Sequence, residues 1–192
     1  MRKLISAILL LVMLVSCAAL AEENWIMYNF GDFSLTFPED VVCGYTEERT
    51  ENQPFLMFYQ DYDETADFNK NLNVVWNSGA EDISAMDPAV MGQLILDQLL
   101  AQFDAMGVGH SNAMLVSAET LDYNGKPALG IAYTATVDYS VVMEDGPIVD
   151  MVFVQMIFSD EAFGTYNFTI TTDDIDNTQL LSTILDSLSW NV

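Results

Sequence analysis

Between Ala113 and Thr171 the chain carries four strand-like runs in close succession: Ala113–Glu119, Ala128–Val137, Val149–Phe158 and Thr165–Thr171. The gaps between them are short. A parallel pair needs a crossover of a dozen or more residues, so consecutive strands at this spacing pair antiparallel. The second run has a marked asymmetry. Leu129, Ile131, Tyr133, Ala135 and Val137 share one face, while Ala128, Gly130, Ala132, Thr134 and Thr136 share the other. The small face predicts a close approach by a helix. The third run is apolar apart from Asp150 and Gln155, the mark of a central strand covered on both faces. In the fourth, Tyr166, Phe168 and Ile170 alternate with Thr165, Asn167 and Thr169, which predicts a face that is wet or meets a polar neighbour.

The first half adds shorter strands and one clear helix. Trp25–Phe30 and Phe33–Phe37 flank Gly31-Asp32, a two-residue hairpin turn, and Pro38 ends the second strand. Phe55–Gln60 reads as a third strand. Leu72, Val74 and Trp76 alternate with Asn71, Asn73 and Asn77 in a fourth. Asp87 is a good N-cap and Pro88 suits the first helical position. Met91, Ile95, Leu99 and Phe103 then recur at steps of four until Gly107 stops the helix. Near the end, Leu181, Ile184, Leu185 and Leu188 set a second helix, with Asp173, Asp174 and Asp176 expected at the positive end of its dipole. The order predicts an α+β fold: a single antiparallel sheet flanked by two main helices, an α/β/α sandwich. There is no internal repeat and no Pro/Gly linker. Residues 22–192 are expected to form one globular domain.

Residues 1–21 read as a signal peptide. Arg2 and Lys3 precede an apolar run from Leu4 to Val15, too short to span a bilayer, and Ala19-Leu20-Ala21 has the small-x-small cleavage pattern. A second route is open. Leu14-Val15-Ser16-Cys17 is similar to a lipobox, with a lipoprotein signal over 1–16 and Cys17 acylated. Either route places the protein outside the cytoplasm, secreted or on the extracytoplasmic face of the cell envelope. Either also leaves Cys43 as the sole free thiol, so the fold stands on its core without an internal disulfide. Cys43 lies in an apolar run and reads as a buried small hydrophobe.

Charge excludes several partners. The chain holds 29 Asp and Glu against 5 Lys and Arg. Loss of Arg2 and Lys3 moves the net charge from −24 to −26 and leaves Arg49, Lys70 and Lys126 as the cations. Nucleic acids and anionic membrane surfaces both require clustered Lys and Arg, which are absent. A charge of this size repels itself in the compact state. Raising NaCl is therefore expected to raise the melting temperature; a melt that does not move between low and high salt would contradict this.

Catalytic chemistry is sparsely supplied. His110 is the only histidine, and no Gly-x-Ser-x-Gly elbow accompanies it. There is no Gly-rich phosphate loop with Lys and no dinucleotide fingerprint. Two-carboxylate hydrolysis is compatible with the residue types, and Tyr59-Gln60-Asp61-Tyr62-Asp63-Glu64 sets aromatics beside acids, but nothing singles out an acid–base pair. Asp61, Asp63, Glu64 and Asp67 crowd one loop whose alternating oxygens suit Ca²⁺. The loop fails as an EF-hand, with Ala66 where Gly is needed and Leu72 where Glu is needed.

The stretch Tyr28-Asn29-Phe30-Gly31-Asp32-Phe33-Ser34-Leu35-Thr36-Phe37-Pro38, an Asn-bearing strand before a central helix, the strand meander, and a last helix ending Leu185-Asp186-Ser187-Leu188-Ser189-Trp190 together resemble the Mog1/PsbP-like fold, shared with DcrB-type bacterial envelope proteins. That resemblance implies an antiparallel sheet packed between helices, and non-catalytic roles in binding or assembly. The expected function is an exported, non-enzymatic module of the bacterial cell envelope whose partner is a protein or another envelope component. The alternatives are a Ca²⁺-dependent binding protein using residues 61–67 and a carboxylate-based hydrolase. An exposed apolar patch favours the first, a cation-stabilised acidic loop the second, and two facing carboxylates in a cleft the third.

Overall fold

Asp87 and Gly107 bracket the first helix as their chemistry requires. The computed structural model describes residues 25–38, 44–45, 55–60, 67–80, 82–123 and 125–191. Helix α1 spans Pro88–Met106. The Asp87 carboxylate accepts from the N–H groups of Ala89 (2.9 Å) and Val90 (3.3 Å), and Gly107 ends the helix at φ 73°. Helix α2 spans Gln179–Asp186 and buries Leu181, Ile184 and Leu185. The acids expected at its start sit elsewhere. Asp174 instead caps the short 3-10 turn Ile175–Asn177, and α2 begins at Thr178, whose side chain makes no capping bond to the helix.

Among the described residues the strands form two antiparallel sheets, and this corrects the expectation of one. The strands are β1 (Trp25–Asn29), β2 (Phe33–Pro38), β3 (Gly44–Tyr45), β4 (Phe55–Gln60), β5 (Asn71–Asn77), β6 (Gly109–Tyr123), β7 (Lys126–Asp138), β8 (Ile148–Asp160), β9 (Gly164–Thr172) and β10 (Ser189–Trp190). The larger sheet runs β3-β4-β5-β9-β8-β7-β6 and the smaller runs β1-β2-β10. The hairpin β1–β2 does not join an edge of the larger sheet. Phe33, Leu35 and Phe37 are fully buried and belong to one cluster with Leu72, Val74, Phe158 and Phe168, so the hairpin lies on the face of the larger sheet. The chain end then pairs with it, Ser189 opposite Ser34 and Trp190 opposite Phe33. Periodicity tells which face of a strand is buried; it does not tell whether that face meets a helix or a second sheet.

The hairpin is fastened at its turn. Gly31 has φ 92°, and its N–H donates to the Asn29 side-chain oxygen at 2.8 Å. The Tyr166 hydroxyl donates to the Asp32 carboxylate at 2.8 Å. The Asn191 backbone N–H donates to the Asp32 carbonyl at 2.7 Å, and its side-chain amide donates to the Gly31 carbonyl at 2.9 Å.

Strand β8 is interior to the larger sheet and does face two cores, as its apolar run predicts. Val149, Met151 and Phe153 join the cluster under α1, while Met156 and Phe158 join the cluster under α2 and the small sheet. The small face of β7 turns away from α1, and its Ala128 joins the cluster of α2 and the small sheet. Helix α1 lies on the large-residue face, with Leu96 and Phe103 packed in one cluster with Ile131 and Tyr133. The close approach comes from the helix itself: a Cβ on Gly92 would stand 2.9 Å from Leu115 and 3.0 Å from Ala118. On the small face, Leu121 of β6 occupies the space above Gly130, where a Cβ would meet its methyl at 2.8 Å. Strand β6 is also longer than its sequence run, because its two bulges break the alternation.

Candidate functional site

Of the predicted site residues only Asp67 lies among the described residues. Asp61, Asp63 and Glu64 lie outside them, as do Cys17 and Cys43, and Asp67 is exposed. No group of three or more His, Cys, Asp or Glu within reach of a metal ion occurs among the described residues. His110 is the second residue of β6, and its Nε2 lies 3.0 Å from the carboxylate of the exposed Asp104 in the last turn of α1. The pair joins a helix end to a strand start. Burial drives the Tyr133 hydroxyl pKa well above its usual value; burial, then the Asp186 carboxylate, does the same at Tyr123. Neither group exchanges a proton near neutral pH. The Tyr123 hydroxyl instead donates to the Leu185 carbonyl at 2.9 Å and ties β6 to α2.

Lys126 is structural. Its ammonium stands 4.8 Å above the Phe163 ring and 5.5 Å above Trp190, two rings stacked at 4.8 Å, and 3.4 Å from Asp160. The Ala162 N–H, followed by Lys126, holds the Asp160 carboxyl below the usual carboxylate range.

An exposed apolar surface is present at the opposite end of β7. Asp138 closes that strand, and its carboxylate accepts from the Ser140 N–H at 2.9 Å. The Val142 and Met143 N–H groups donate to the Tyr139 carbonyl at 3.1 and 2.9 Å, the Gly146 N–H donates to the Met143 carbonyl at 3.0 Å, and the Tyr139 N–H donates to the Pro147 carbonyl at 3.0 Å. This bonding folds residues 139–147 into a closed knuckle. Position 146 must be glycine, since a Cβ there would lie 2.5 Å from the Tyr139 carbonyl oxygen. Hydrogen bonding thus fixes the backbone while the apolar side chains point outward. Val141 is 63% exposed, Met143 57% and Ile148 65%, and Met106 at the end of α1 is 60% exposed. Val142 and Val141 stand beside Gly107 and Gly109, which joins the knuckle to the end of α1.

The acids Asp104, Asp138, Glu144 and Asp145 border this surface in sequence. Lys126 is at the far end of β7, about 40 Å away along a 13-residue strand. The sequence reading missed this surface because Val141-Val142-Met143 looks like ordinary core. The signal available was their position between Asp138 and Glu144-Asp145, in a gap between strands.

Comparison with solved structures identifies the fold. Cyanobacterial PsbP (CyanoP) from Synechocystis sp. PCC 6803 aligns with a TM-score of 0.62 at 15% identity, covering 92% of this chain and 98% of that one. The Saccharomyces cerevisiae Ran-binding protein Mog1p aligns with a TM-score of 0.49 at 12% identity, covering 88% and 96%. The chain has a Mog1/PsbP-like fold. No family model matches the sequence, and no curated protein matches it. At this identity the likeness is one of fold alone.

Proposed function

We propose that this protein is an exported, non-enzymatic binding or assembly module of the bacterial cell envelope, and that the knuckle of residues 139–147, with Ile148 and Met106, docks it to a protein. The observation that carries the reading is a set of five large apolar side chains, each 47% exposed or more: Val141, Val142 and Met143 on a hydrogen-bonded turn, with Ile148 after it and Met106 at the end of α1. Held outward by a fixed backbone, such side chains lose little conformational freedom on binding. The acidic border selects a partner whose apolar site is rimmed by Lys or Arg. It opposes a second copy of this chain, which would bring the same acids into contact. The leader features at residues 1–21 support export, and the absence of a Lys/Arg cluster turns the reading from nucleic acid and anionic lipid toward protein.

The test is photo-crosslinking in the native host from a probe at Met143 or Ile148, with a control probe at Glu161 at the other end of the sheet. One salt-sensitive adduct is expected from the first two positions and none from the third. Val141→Asp with Ile148→Asp is expected to weaken the captured complex about 100-fold or more. Its melting temperature should scarcely change, because both side chains are exposed. An adduct that forms equally at Glu161, or survives the double substitution, would overturn the assignment.

A further inference from the structure

Two of the five side chains on the docking surface are thioethers. Met143 sits in the knuckle, Met106 is the last residue of α1, and both are more than half exposed. The chain carries eleven methionines; with Met1 and Met13 in the leader, nine remain beside Cys43. Their surroundings differ widely. Met27 and Met114 are as open as Met106 and Met143, Met86 and Met91 are half-buried, and Met151 and Met156 are buried in the larger sheet. An oxidant in the surrounding medium therefore reaches the four open sulfurs ahead of the buried ones, and two of those four lie on this surface.

Oxidation at these two positions alters the surface without loosening the fold. The Met143 N–H donates to the Tyr139 carbonyl at 2.9 Å, and the Met143 carbonyl accepts from the Gly146 N–H at 3.0 Å, so backbone bonds and not the side chain hold the turn. Past Met106 the helix end is held the same way. The Gly107 N–H donates to the Asp104 carbonyl at 3.1 Å and the Val108 N–H to the Phe103 carbonyl at 2.9 Å. The chemistry also suits an acidic protein. A thiol reacts as its thiolate, whereas a thioether has no proton to lose before it reacts. Hydrogen peroxide is uncharged, so a net charge of −24 does not keep it away.

We propose that Met106 and Met143 are modification sites at which a peroxide switches the docking surface off, an inference that rests on the docking role given above. In the step, a sulfur lone pair attacks one peroxide oxygen, the O–O bond breaks, an S–O bond forms, and the second oxygen leaves as water with both hydrogens. The sulfur is oxidised by two electrons and the peroxide is reduced by two. The product is methionine sulfoxide, a polar, hydrogen-bond-accepting group in place of an apolar one. Pressed into an apolar site on the partner, the sulfoxide oxygen loses its hydration with nothing to replace it. A bound partner covers both sulfurs, so the free protein is the form that is modified. Thiol-driven methionine sulfoxide reductases return the two electrons and restore the surface.

The test oxidises the purified protein carrying a photo-probe at Ile148 with hydrogen peroxide, quenches it, and returns it to envelope extract of the native host. Peptide mass mapping is expected to find one added oxygen at each of Met27, Met106, Met114 and Met143 and none at Met151 or Met156, with the melting temperature scarcely changed. The adduct yield is expected to fall about tenfold or more on oxidation. Met27→Leu with Met114→Leu should show the same fall. In Met106→Leu with Met143→Leu the ratio of treated to untreated yield should stay near one, whatever the starting yield, and reductase treatment should restore the yield of the unsubstituted protein. An undiminished adduct once both sulfoxides have formed, an equal fall in Met106→Leu with Met143→Leu, or a large drop in melting temperature on oxidation overturns the switch while leaving the docking role standing. No adduct from the untreated protein overturns the docking role, and the switch with it.

Discussion

Replacing Phe33 by alanine is expected to remove about 3–5 kcal/mol of stability, the usual cost of deleting a fully buried aromatic ring. Phe33 is 0% exposed. Its ring centroid lies 5.1 Å from Phe30, 5.3 Å from Tyr166, 5.2 Å from Phe168 and 6.1 Å from Trp190. These neighbours come from the hairpin, from β9 of the larger sheet and from the chain end. The ring is therefore a central contact among those that hold the small sheet against the large one. Rings rigidly held by separate strands collapse poorly into a void, which places the cost toward the top of the range. Against a typical total of about 5–15 kcal/mol the loss is large. Denaturant titration checks it: the midpoint should fall sharply, and a shift worth less than about 1 kcal/mol would show that the two sheets are not coupled through this ring.

Gly164→Ala is expected to be nearly as damaging, for a different reason. Gly164 has φ 84°, where a side chain costs about 1–2 kcal/mol. A Cβ there would also stand 2.4 Å from the Asn77 carbonyl oxygen and 3.2 Å from the Trp76 indole nitrogen. Those atoms have little room to yield. The indole N–H donates to the Phe163 carbonyl at 2.7 Å, and the Thr165 hydroxyl donates to the Gly79 carbonyl at 2.7 Å. Overlap adds about 1–3 kcal/mol, for a loss of about 2–5 kcal/mol in all. Gly125→Ala is the matched control. It has φ 81° with nothing within 4 Å of the added Cβ, so only the backbone cost applies. Thermal melts should therefore rank Gly164→Ala well below Gly125→Ala. Equal melting temperatures would mean the β5–β9 end yields without cost.

Local features of the fold were readable because their causes are local. Asp87, Pro88 and Gly107 fix α1 to the residue at both ends. The gap between the first and second strands of the hairpin-spaced run carries its own turn chemistry: Gly125 with its positive φ closes the turn between β6 and β7. The Thr/Asn face of β9 does meet a polar neighbour, the Asn face of β5. The carboxylates Asp173, Asp174 and Asp176 misled for the opposite reason: Asp174 has a closer use, capping a turn in its own neighbourhood.

The candidate docking surface was not readable. Val141, Val142 and Met143 carry the same composition as a buried strand, and only the bonding of residues 139–147 turns them outward. The polar face shared by β5, β9 and Gln155 of β8 was half readable. Alternation gave the polar face of β5 and of β9 separately, but their juxtaposition with Gln155 depends on the order β5-β9-β8, which brings together residues about 80 positions apart.

The sequence by itself determined the helix α1 with its caps, the antiparallel meander, the central place of β8, the acidic charge and the scarcity of catalytic groups, since each follows from spacing or composition within one segment. Tertiary structure alone decided that there are two sheets, that α1 takes the large-residue face of β7, and which apolar side chains are left exposed. Those outcomes depend on which segments meet across long separations, and a hydrophobic period specifies a face to be buried without specifying what buries it.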